Sequence, residues 1–255
     1  MSTIKFTDRL LRLIVPLKCM GCGEVTLENV PFCRNCLSEF AELVKAKCPV
    51  CGRDKENCIC AGYGKTKFLF YYDTKISKRI IASMKYHATA FKADYFAGLL
   101  MLQLPCDANF DAVVFPPRSK KNIRRYGFDQ SEMIASALAK KLCIPCLKAL
   151  HRTGHHKEQK LLSAEQRRKN VSGAFTADAK SLSAVKKVIL FDDVMTTGAT
   201  INECTKILKK SGVRKITVLT LARTPKSKRV AFSRKKYYTR QYSKKVYNIF
   251  PEAIL

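Results

Sequence analysis

Apolar positions along the chain fall into two alternating patterns, short unbroken runs and longer stretches with helical spacing. The runs are rich in branched residues, as in strands of a parallel sheet that is covered on both faces. The longer stretches repeat every three or four residues, as in amphipathic helices. Strands are predicted at residues 68–72, 111–115, 188–191 and 216–222, and helices at residues 76–84, 91–104, 129–142 and 200–210. This alternation predicts an α/β fold with a central parallel sheet.

The run at residues 188–191 leads directly into a segment suited to binding an anion. Asp192 and Asp193 follow the predicted strand, and residues 196–200 are small, hydroxylated or glycine. Backbone N–H groups can approach a phosphate closely in such a loop, and the helix opened by Thr200 adds a favourable dipole. The carboxylates are then placed for the hydroxyls or the metal of the same ligand. The alternative is an acidic strand end that caps an ordinary helix.

A second polar segment follows the predicted strand at residues 111–115. It begins Pro-Pro-Arg-Ser-Lys-Lys and is predicted to form a loop that takes a pyrophosphate. Arginine forks match phosphate oxygens, and a glycine lets the backbone approach them. The alternative is a basic, solvated turn. The candidate residues are Arg118, Ser119, Arg125 and Gly127.

Three short segments are assigned structural roles. Asp129 and Glu132 have the spacing of a capping box, which predicts the start of a helix. Residues 85–87 are predicted to form a solvated loop between two scaffold helices, with ligand contact as the alternative. Cys143 and Cys146 repeat a metal-knuckle spacing, but no matching pair is near, so buried structural thiols are predicted.

Eight of the twelve cysteines lie between positions 19 and 60, mostly in pairs separated by two residues. Two such pairs can complete a tetrahedral structural zinc site. Two sequential sites are predicted, forming a double zinc ribbon over residues 1–62, although interleaved pairing or one occupied site is also compatible. Disulfides are disfavoured in a reducing compartment. The predicted ligands are Cys19, Cys22, Cys33 and Cys36 for one ion, and Cys48, Cys51, Cys58 and Cys60 for the other.

The formal net charge is +28, from 48 lysine and arginine residues against 20 acidic residues. This balance favours encounter with polyanions. Residues 226–255 carry nine basic residues and one acid, interleaved with aromatic residues. That composition is typical of segments that bind single-stranded nucleic acid, and a tail without that role is the equal alternative. No segment supports export or membrane insertion, so a cytoplasmic location is predicted.

The run of residues 192–200 resembles the fingerprint of type I phosphoribosyltransferases, which bind phosphoribosyl pyrophosphate (PRPP). The resemblance implies a type I phosphoribosyltransferase-like, Rossmann-like parallel sheet over residues 63–225. It also implies that Asp192 and Asp193 form the catalytic pair and hold the ribose hydroxyls, with magnesium bound alongside PRPP. The residues implied to cradle the 5′-phosphate are Thr196, Thr197, Gly198, Ala199 and Thr200.

Five motifs in one order extend this resemblance to residues 17–224. They are the ribbon, the Pro-Pro-Arg-Ser loop, the segment Arg125-Tyr-Gly-Phe-Asp-Gln130, residues 152–175 and the PRPP loop. Together they resemble the ComF family, which joins a double zinc ribbon to a phosphoribosyltransferase domain. Family members usually carry Arg-Gly-Phe-Asn-Gln, from which Tyr126 and Asp129 depart.

The ComF resemblance implies a role in DNA uptake during natural transformation. The implied cofactors are structural zinc and magnesium with PRPP. The implied partners are single-stranded DNA and a competence helicase or single-strand-handling proteins. Two alternatives stay open: a salvage or biosynthetic phosphoribosyltransferase acting on a free base or amine, with a purely structural ribbon, and a regulator that senses PRPP without turnover. No residue identifies an acceptor.

Overall fold

A five-stranded parallel sheet forms the centre of the computed structural model, which describes residues 16–48, 54, 66–105, 107–153 and 173–225. In chain order its elements are β1 (Leu17–Lys18), β2 (Val25–Thr26), α1 (Arg34–Lys45), β3 (Thr66–Tyr71), α2 (Lys75–His87), α3 (Ala90–Met101), β4 (Ala112–Val114), α4 (Lys120–Tyr126), α5 (Gln130–Lys141), β5 (Cys146–Leu147), β6 (Leu150–Arg152), β7 (Phe175–Ala177), β8 (Lys187–Met195), α6 (Ala199–Lys210) and β9 (Lys215–Arg223). The sheet order is β3-β9-β8-β4-β5, while β1 pairs with β2, and β6 with β7, in two small antiparallel ladders. The predicted α/β fold with a parallel sheet is confirmed.

The central strand β8 is longer than its apolar run. The sequence places its end at residue 191, but the backbone continues to pair with β9 through both acids, Asp192 opposite Thr220 and Val194 opposite Ala222. The expected strand end was therefore wrong by four residues. The reason is that β9 supplies a pairing partner as far as Arg223, whatever side chains β8 carries there.

Side chains of β8 alternate between the two faces of the sheet, as in any strand. Ile189 and Phe191 join the cluster formed with α2, α3 and α5, whereas Val188 and Leu190 join the cluster formed with α6. The two acids keep this alternation, which reverses after them, since Val194 packs against the first cluster and Met195 belongs to the second. Asp193 therefore faces the α2 and α5 side of the sheet, and its neighbour Asp192 faces the opposite side.

Helix α1 begins directly after Cys33, contains Cys36 and was not predicted. Its buried residues Leu37, Phe40 and Leu43 form one apolar face. Phe40 stacks on Phe32 at 4.7 Å between ring centroids and meets Phe70 of β3 edge-on at 5.9 Å. The cysteine-rich segment thus packs against the sheet and shares one continuous hydrophobic cluster with it.

The polar segment after β4 is not a simple loop, which corrects the prediction. Residues 120–126 form helix α4, since Ser119 Oγ accepts a hydrogen bond from the Asn122 N–H and Gly127, at φ +79°, ends the helix. A left-handed residue at that position is the usual helix stop, and glycine adopts it without steric cost. Helix α6 begins at Ala199, one residue before the predicted Thr200.

Two further outcomes concern cysteines and membranes. Cys143 is exposed and Cys146 is partly buried, so the prediction of buried thiols was wrong for Cys143. It follows α5 in a left-handed turn, at φ 55°.

Across the described ranges, none of the helices is long and apolar enough to span a membrane. The predictions for Cys51, Cys58, Cys60, residues 154–172 and residues 226–255 fall outside the described residues.

Candidate functional site

A cleft of about 600 Å³ opens at the carboxyl ends of the central strands. In parallel sheets this is the edge where ligands bind, because strand ends and helix N-termini converge there. Both carboxylates, the whole segment 196–200 and several cations line it. The basic and acidic lining residues are Lys85, Arg118, Lys121, Arg125, Arg152, Asp192 and Asp193.

The turn from β8 into α6 forms the floor of the cleft. Gly198 caps the helix in the left-handed conformation, at φ 76°. The Ala199 N–H donates to Thr197 Oγ1 at 3.4 Å. The first regular hydrogen bond of the helix follows, from the Asn202 N–H to the Gly198 carbonyl. Helix α6 therefore directs its N-terminal N–H groups and its positive dipole end into the cleft. This arrangement suits a phosphate group.

Asp193 is held in place from three directions. Its Oδ2 accepts a hydrogen bond from Gln130 Nε2 at 3.0 Å and lies 3.5 Å from Lys85 Nζ, while its Oδ1 accepts from the Val194 N–H at 2.7 Å. The charge of Asp193 raises the pKa of Lys85, against the opposing effect of burial. Residues 85–87 therefore do not form a solvated loop. They belong to α2, and Lys85 is a component of the cleft.

The carboxylate of Asp192 has fewer hydrogen-bond and ion-pair partners than that of Asp193. Its Oδ1 accepts a hydrogen bond from the Asp193 N–H at 2.9 Å. Burial raises the pKa of Asp192 well above its ordinary value, and the adjacent negative charge of Asp193 raises it further. Lys85 and Arg152 oppose that shift. A carboxylate in such surroundings gains strongly from a cation or a hydroxyl donor brought beside it.

Two hydrogen bonds fix the side chain of Arg118. Its guanidinium Nη1 donates to the carbonyl of Lys85 at 3.1 Å and to that of Phe128 at 3.4 Å. Its backbone N–H donates to Asp129 Oδ2 at 2.6 Å, so the cap of α5 also fixes the wall of the cleft. The capping prediction holds for Asp129, which accepts from the Ser131 and Glu132 N–H groups.

The remaining predicted pyrophosphate-side residues lie around α4. Ser119 and Arg125 line the cleft, whereas Gly127 is not among its lining residues and serves as the end of α4. Glu132, predicted as the second half of the capping box, instead forms an ion pair with Lys148 at 2.6 Å.

The sequence did not single out Gln130 and Arg152, and it offered ligand contact by Lys85 only as the alternative to a solvated loop. Arg152 ends β6, its Nε donates to the Pro117 carbonyl at 3.0 Å, and its guanidinium lies 4.9 Å from the Phe175 ring centroid. Nothing local marks it, because the β6–β7 pairing brings it to the cleft. Gln130 could have been found as the last residue of the Arg125–Gln130 motif.

Four cysteines form a compact cluster at the N-terminal end of α1. The Sγ atoms of Cys19, Cys22, Cys33 and Cys36 all lie within 4.8 Å of one another. Cys19 Sγ accepts hydrogen bonds from the N–H groups of Gly21 and Cys33, each at 3.3 Å. Although burial raises the pKa of Cys19, backbone N–H groups of Cys22, Cys33 and Gly21 lower it to about 7 overall.

The fit to zinc rests on this donor set. Four thiols at mutual contact can surround one tetrahedral ion, and N–H groups directed at a sulfur stabilise its thiolate. Gly21 is required by shape, since a Cβ there would lie 2.6 Å from Cys36 Sγ. The first predicted ligand set is thus brought together. Of the second set, only Cys48 is described, and it is buried.

Comparisons with known proteins agree with this geometry. The family model "Phosphoribosyl transferase domain" matches residues 129–250. "Competence protein F" of Haemophilus influenzae is 30% identical over 218 residues, covering 80% of this chain and 90% of the relative. The chain belongs to the ComF family.

Two other relatives belong with this assignment. "DNA utilization protein YhgH" of Escherichia coli O157:H7 is 28% identical over 233 residues, covering 83% of this chain and 99% of the relative. "Competence protein ComFC" of Streptococcus pneumoniae is 24% identical over 229 residues, covering 81% and 100%.

Proposed function

We propose that this ComF protein binds PRPP with magnesium in the β8–α6 cleft and uses that site while handling single-stranded DNA in the cytoplasm during natural transformation. One observation carries the proposal: two carboxylates on β8 meet the N-terminus of a glycine-capped helix in a cleft with several cations. A phosphate fits the helix terminus, and ribose hydroxyls fit the carboxylates.

The chain's own residues can perform the steps that a PRPP site needs. The N–H groups of residues 198–200 bind the 5′-phosphate, and Asp192 accepts hydrogen bonds from the ribose. Asp193, fixed by Lys85 and Gln130, orients the strand end. The guanidinium of Arg152 faces the negative charge that develops when pyrophosphate departs. Magnesium, held through the oxygen donors of Asp192 and Asp193, would supply further charge neutralisation when bound.

Calorimetric titration with PRPP tests the binding step directly. We expect PRPP binding to require magnesium and to be inhibited competitively by ribose 5-phosphate. Absence of PRPP binding at millimolar ligand would refute the proposal. A screen for pyrophosphate release, with nucleobases, amines and single-stranded DNA as acceptors, then separates turnover from binding alone. Release with a free base would favour a salvage enzyme over a DNA-handling protein.

Single-stranded DNA binding is supported by the net charge of +28 and by the names of the relatives, "Competence protein F" and "DNA utilization protein YhgH". We expect the affinity to fall with salt at a logarithmic slope of about −0.7 per phosphate contacted. Deleting residues 226–255 removes nine basic residues and should flatten that slope. An unchanged slope would assign the DNA contacts to the rest of the chain.

The cysteine cluster is proposed to be structural. Its four ligands leave no open coordination position, so zinc there would stabilise the fold and take no part in catalysis. A second ion is proposed at Cys48, Cys51, Cys58 and Cys60. Metal analysis of protein purified under reducing conditions tests this, with about two zinc ions expected per chain from eight ligands.

A further inference from the structure

Two tyrosines line the same cleft as the two carboxylates. Tyr86 lies near the end of α2 and Tyr126 ends α4, and their ring centroids are 5.1 Å apart with planes inclined by 50°. Both line the cleft and both are partly exposed. Tyr86 follows Lys85, whose Nζ lies 3.5 Å from Asp193, so the aromatic pair adjoins the proposed ribose site.

The ring of Tyr126 is held rigidly. The guanidinium of Arg118 lies 4.5 Å from its centroid and that of Arg125 lies 5.4 Å away. Arg118 is itself fixed by the carbonyls of Lys85 and Phe128. A ring that is already ordered loses little conformational entropy when a ligand packs against it, which favours binding.

Helix α4 places cations beside this pair. It contains Lys120, Lys121, Arg124 and Arg125 among seven residues, no acid, and all four cations are exposed. Exposed cations flanking aromatic rings are the combination that binds single strands, because phosphates contact the cations while bases stack on the rings. A free nucleobase would use the rings but would not reach Lys120 and Arg124, the two exposed cations of α4 that do not line the cleft.

We propose that the Tyr86–Tyr126 pair and α4 form a binding site for single-stranded DNA, with one base packed against the tyrosine rings and the neighbouring phosphates on the cations of α4. The site presents that base to the PRPP cleft. This inference rests on the proposed function for its partner, and it adds the surface and the residues that contact the strand.

The test measures the binding of the full chain to two fluorescently labelled strands by anisotropy. One is an oligothymidylate of about twelve nucleotides, and the other is an abasic strand of equal length that keeps the phosphates. Stacking of one base predicts a roughly five- to hundredfold preference for the strand that carries bases. Tyr126→Leu and, independently, Tyr86→Leu should reduce this preference, while Tyr126→Phe should retain most of it.

The contribution of α4 is tested by charge. Removing two cations with Lys120→Gln/Arg124→Gln should weaken both strands equally and reduce the salt slope by about 1.4. The matched control is Lys209→Gln/Lys210→Gln, which removes two exposed cations at the far end of α6 and should leave the α4 contribution intact.

Several results would overturn the site. These are equal binding of both strands by the unaltered protein, an unchanged preference in both leucine variants, or displacement of the strand by micromolar free thymidine. The last result would assign the rings to a free base. PRPP titration of the same variants, together with thermal melts, separates the two proposals. A lost base preference with PRPP binding retained supports the site, and a Tyr126-dependent preference without any PRPP binding would leave the site standing while PRPP binding fails.

Discussion

Asp192 and Asp193 are adjacent in sequence, yet their surroundings differ because a strand turns successive side chains to opposite faces. Asp193 meets Gln130 and Lys85, so its negative charge is compensated within the protein. Asp192 lies beside that charge with less compensation, and desolvation together with the charge of Asp193 raises its pKa. The protein therefore carries one carboxylate whose charge is compensated by its neighbours and one that is costly to ionise.

We expect Asp192→Asn to stabilise the ligand-free protein at neutral pH. A carboxyl whose pKa is higher in the folded state than its ordinary 3.8 makes the fold less stable as pH rises above that value. The neutral amide removes this penalty, which should raise the free energy of unfolding by on the order of 1–3 kcal/mol and the melting temperature by several degrees. Thermal melts at about pH 7.5 and about pH 4 check this, since the gain should shrink at the lower pH.

The exposed Asp107→Asn serves as control and should leave the melting temperature unchanged. A lower melting temperature for Asp192→Asn at neutral pH would mean that the folded protein stabilises the Asp192 carboxylate.

Gly198→Val should weaken every phosphate-bearing ligand. A β-branched residue at φ 76° is strained, and its side chain would enter the space for the 5′-phosphate. We expect PRPP and ribose 5-phosphate to lose similar factors of affinity in calorimetric titrations. Asp192→Asn should instead weaken PRPP by about ten- to hundredfold while barely affecting inorganic phosphate.

Gly212→Val is the matched control for Gly198→Val. Gly212 also has a positive φ, +91°, but it follows the opposite end of α6. Both substitutions should cost stability, whereas only Gly198→Val should alter phosphate binding. Equal ligand affinities in the two variants would argue against a phosphate at the α6 N-terminus.

At the scale of elements, α2 connects the cysteine cluster to the cleft. Thr74 and Ser77 form a reciprocal capping box at its start, and Arg79 Nη1 donates to the Gly21 carbonyl at 3.2 Å. Near its end Lys85 pairs with Asp193, and the His87 carbonyl accepts from Lys92 Nζ at 2.8 Å. The position of Lys85 therefore depends on contacts along the whole helix.

A double-mutant cycle measures the link between α2 and β8. Lys85→Met and Asp193→Asn should each destabilise the protein, because each leaves its partner in a partly buried position without its counter-charge. The double variant should lose less than the sum, with a coupling energy of about 1 kcal/mol from denaturant unfolding. Lys78→Gln on the exposed face of α2 is the control. Strict additivity would show that the 3.5 Å pair contributes nothing.

At the scale of the whole molecule, the cysteine cluster and the sheet form one packing unit. Cys19, Phe32 and Cys36 share a hydrophobic cluster with Phe70 of β3 and Phe96 of α3. A change that destabilises the cysteine-rich segment should therefore also destabilise the sheet.

Cys36→Ser should remove about one zinc ion per chain and lower the melting temperature of the entire protein in one transition, because a structural metal adds its binding energy to folding. Metal analysis and calorimetry measure the two effects. Cys143→Ser is the control, since that thiol is exposed and lies outside the cluster. Metal loss with an unchanged main transition would mean that the segment folds independently of the sheet.

The sequence alone determined those features whose signal is local. Branched apolar runs indicated the parallel strands, the spacing of two cysteine pairs indicated the four-thiol cluster, and residues 192–200 identified the strand-turn-helix unit. Each depends on neighbouring residues and on the periods of strands and helices, so no knowledge of the fold was needed.

Tertiary structure decided the features that depend on residues distant in the chain. The charge of Asp193 is compensated because α2 and α5 bring Lys85 and Gln130 to it from positions 108 and 63 residues away. Arg152 reaches the cleft only through the β6–β7 ladder, and the two tyrosines meet only because α2 and α4 end at the same edge. Propensity and periodicity describe single helices and strands. The charge and contacts of a site come from several elements at once, and no local pattern in the sequence specifies how those elements pack together.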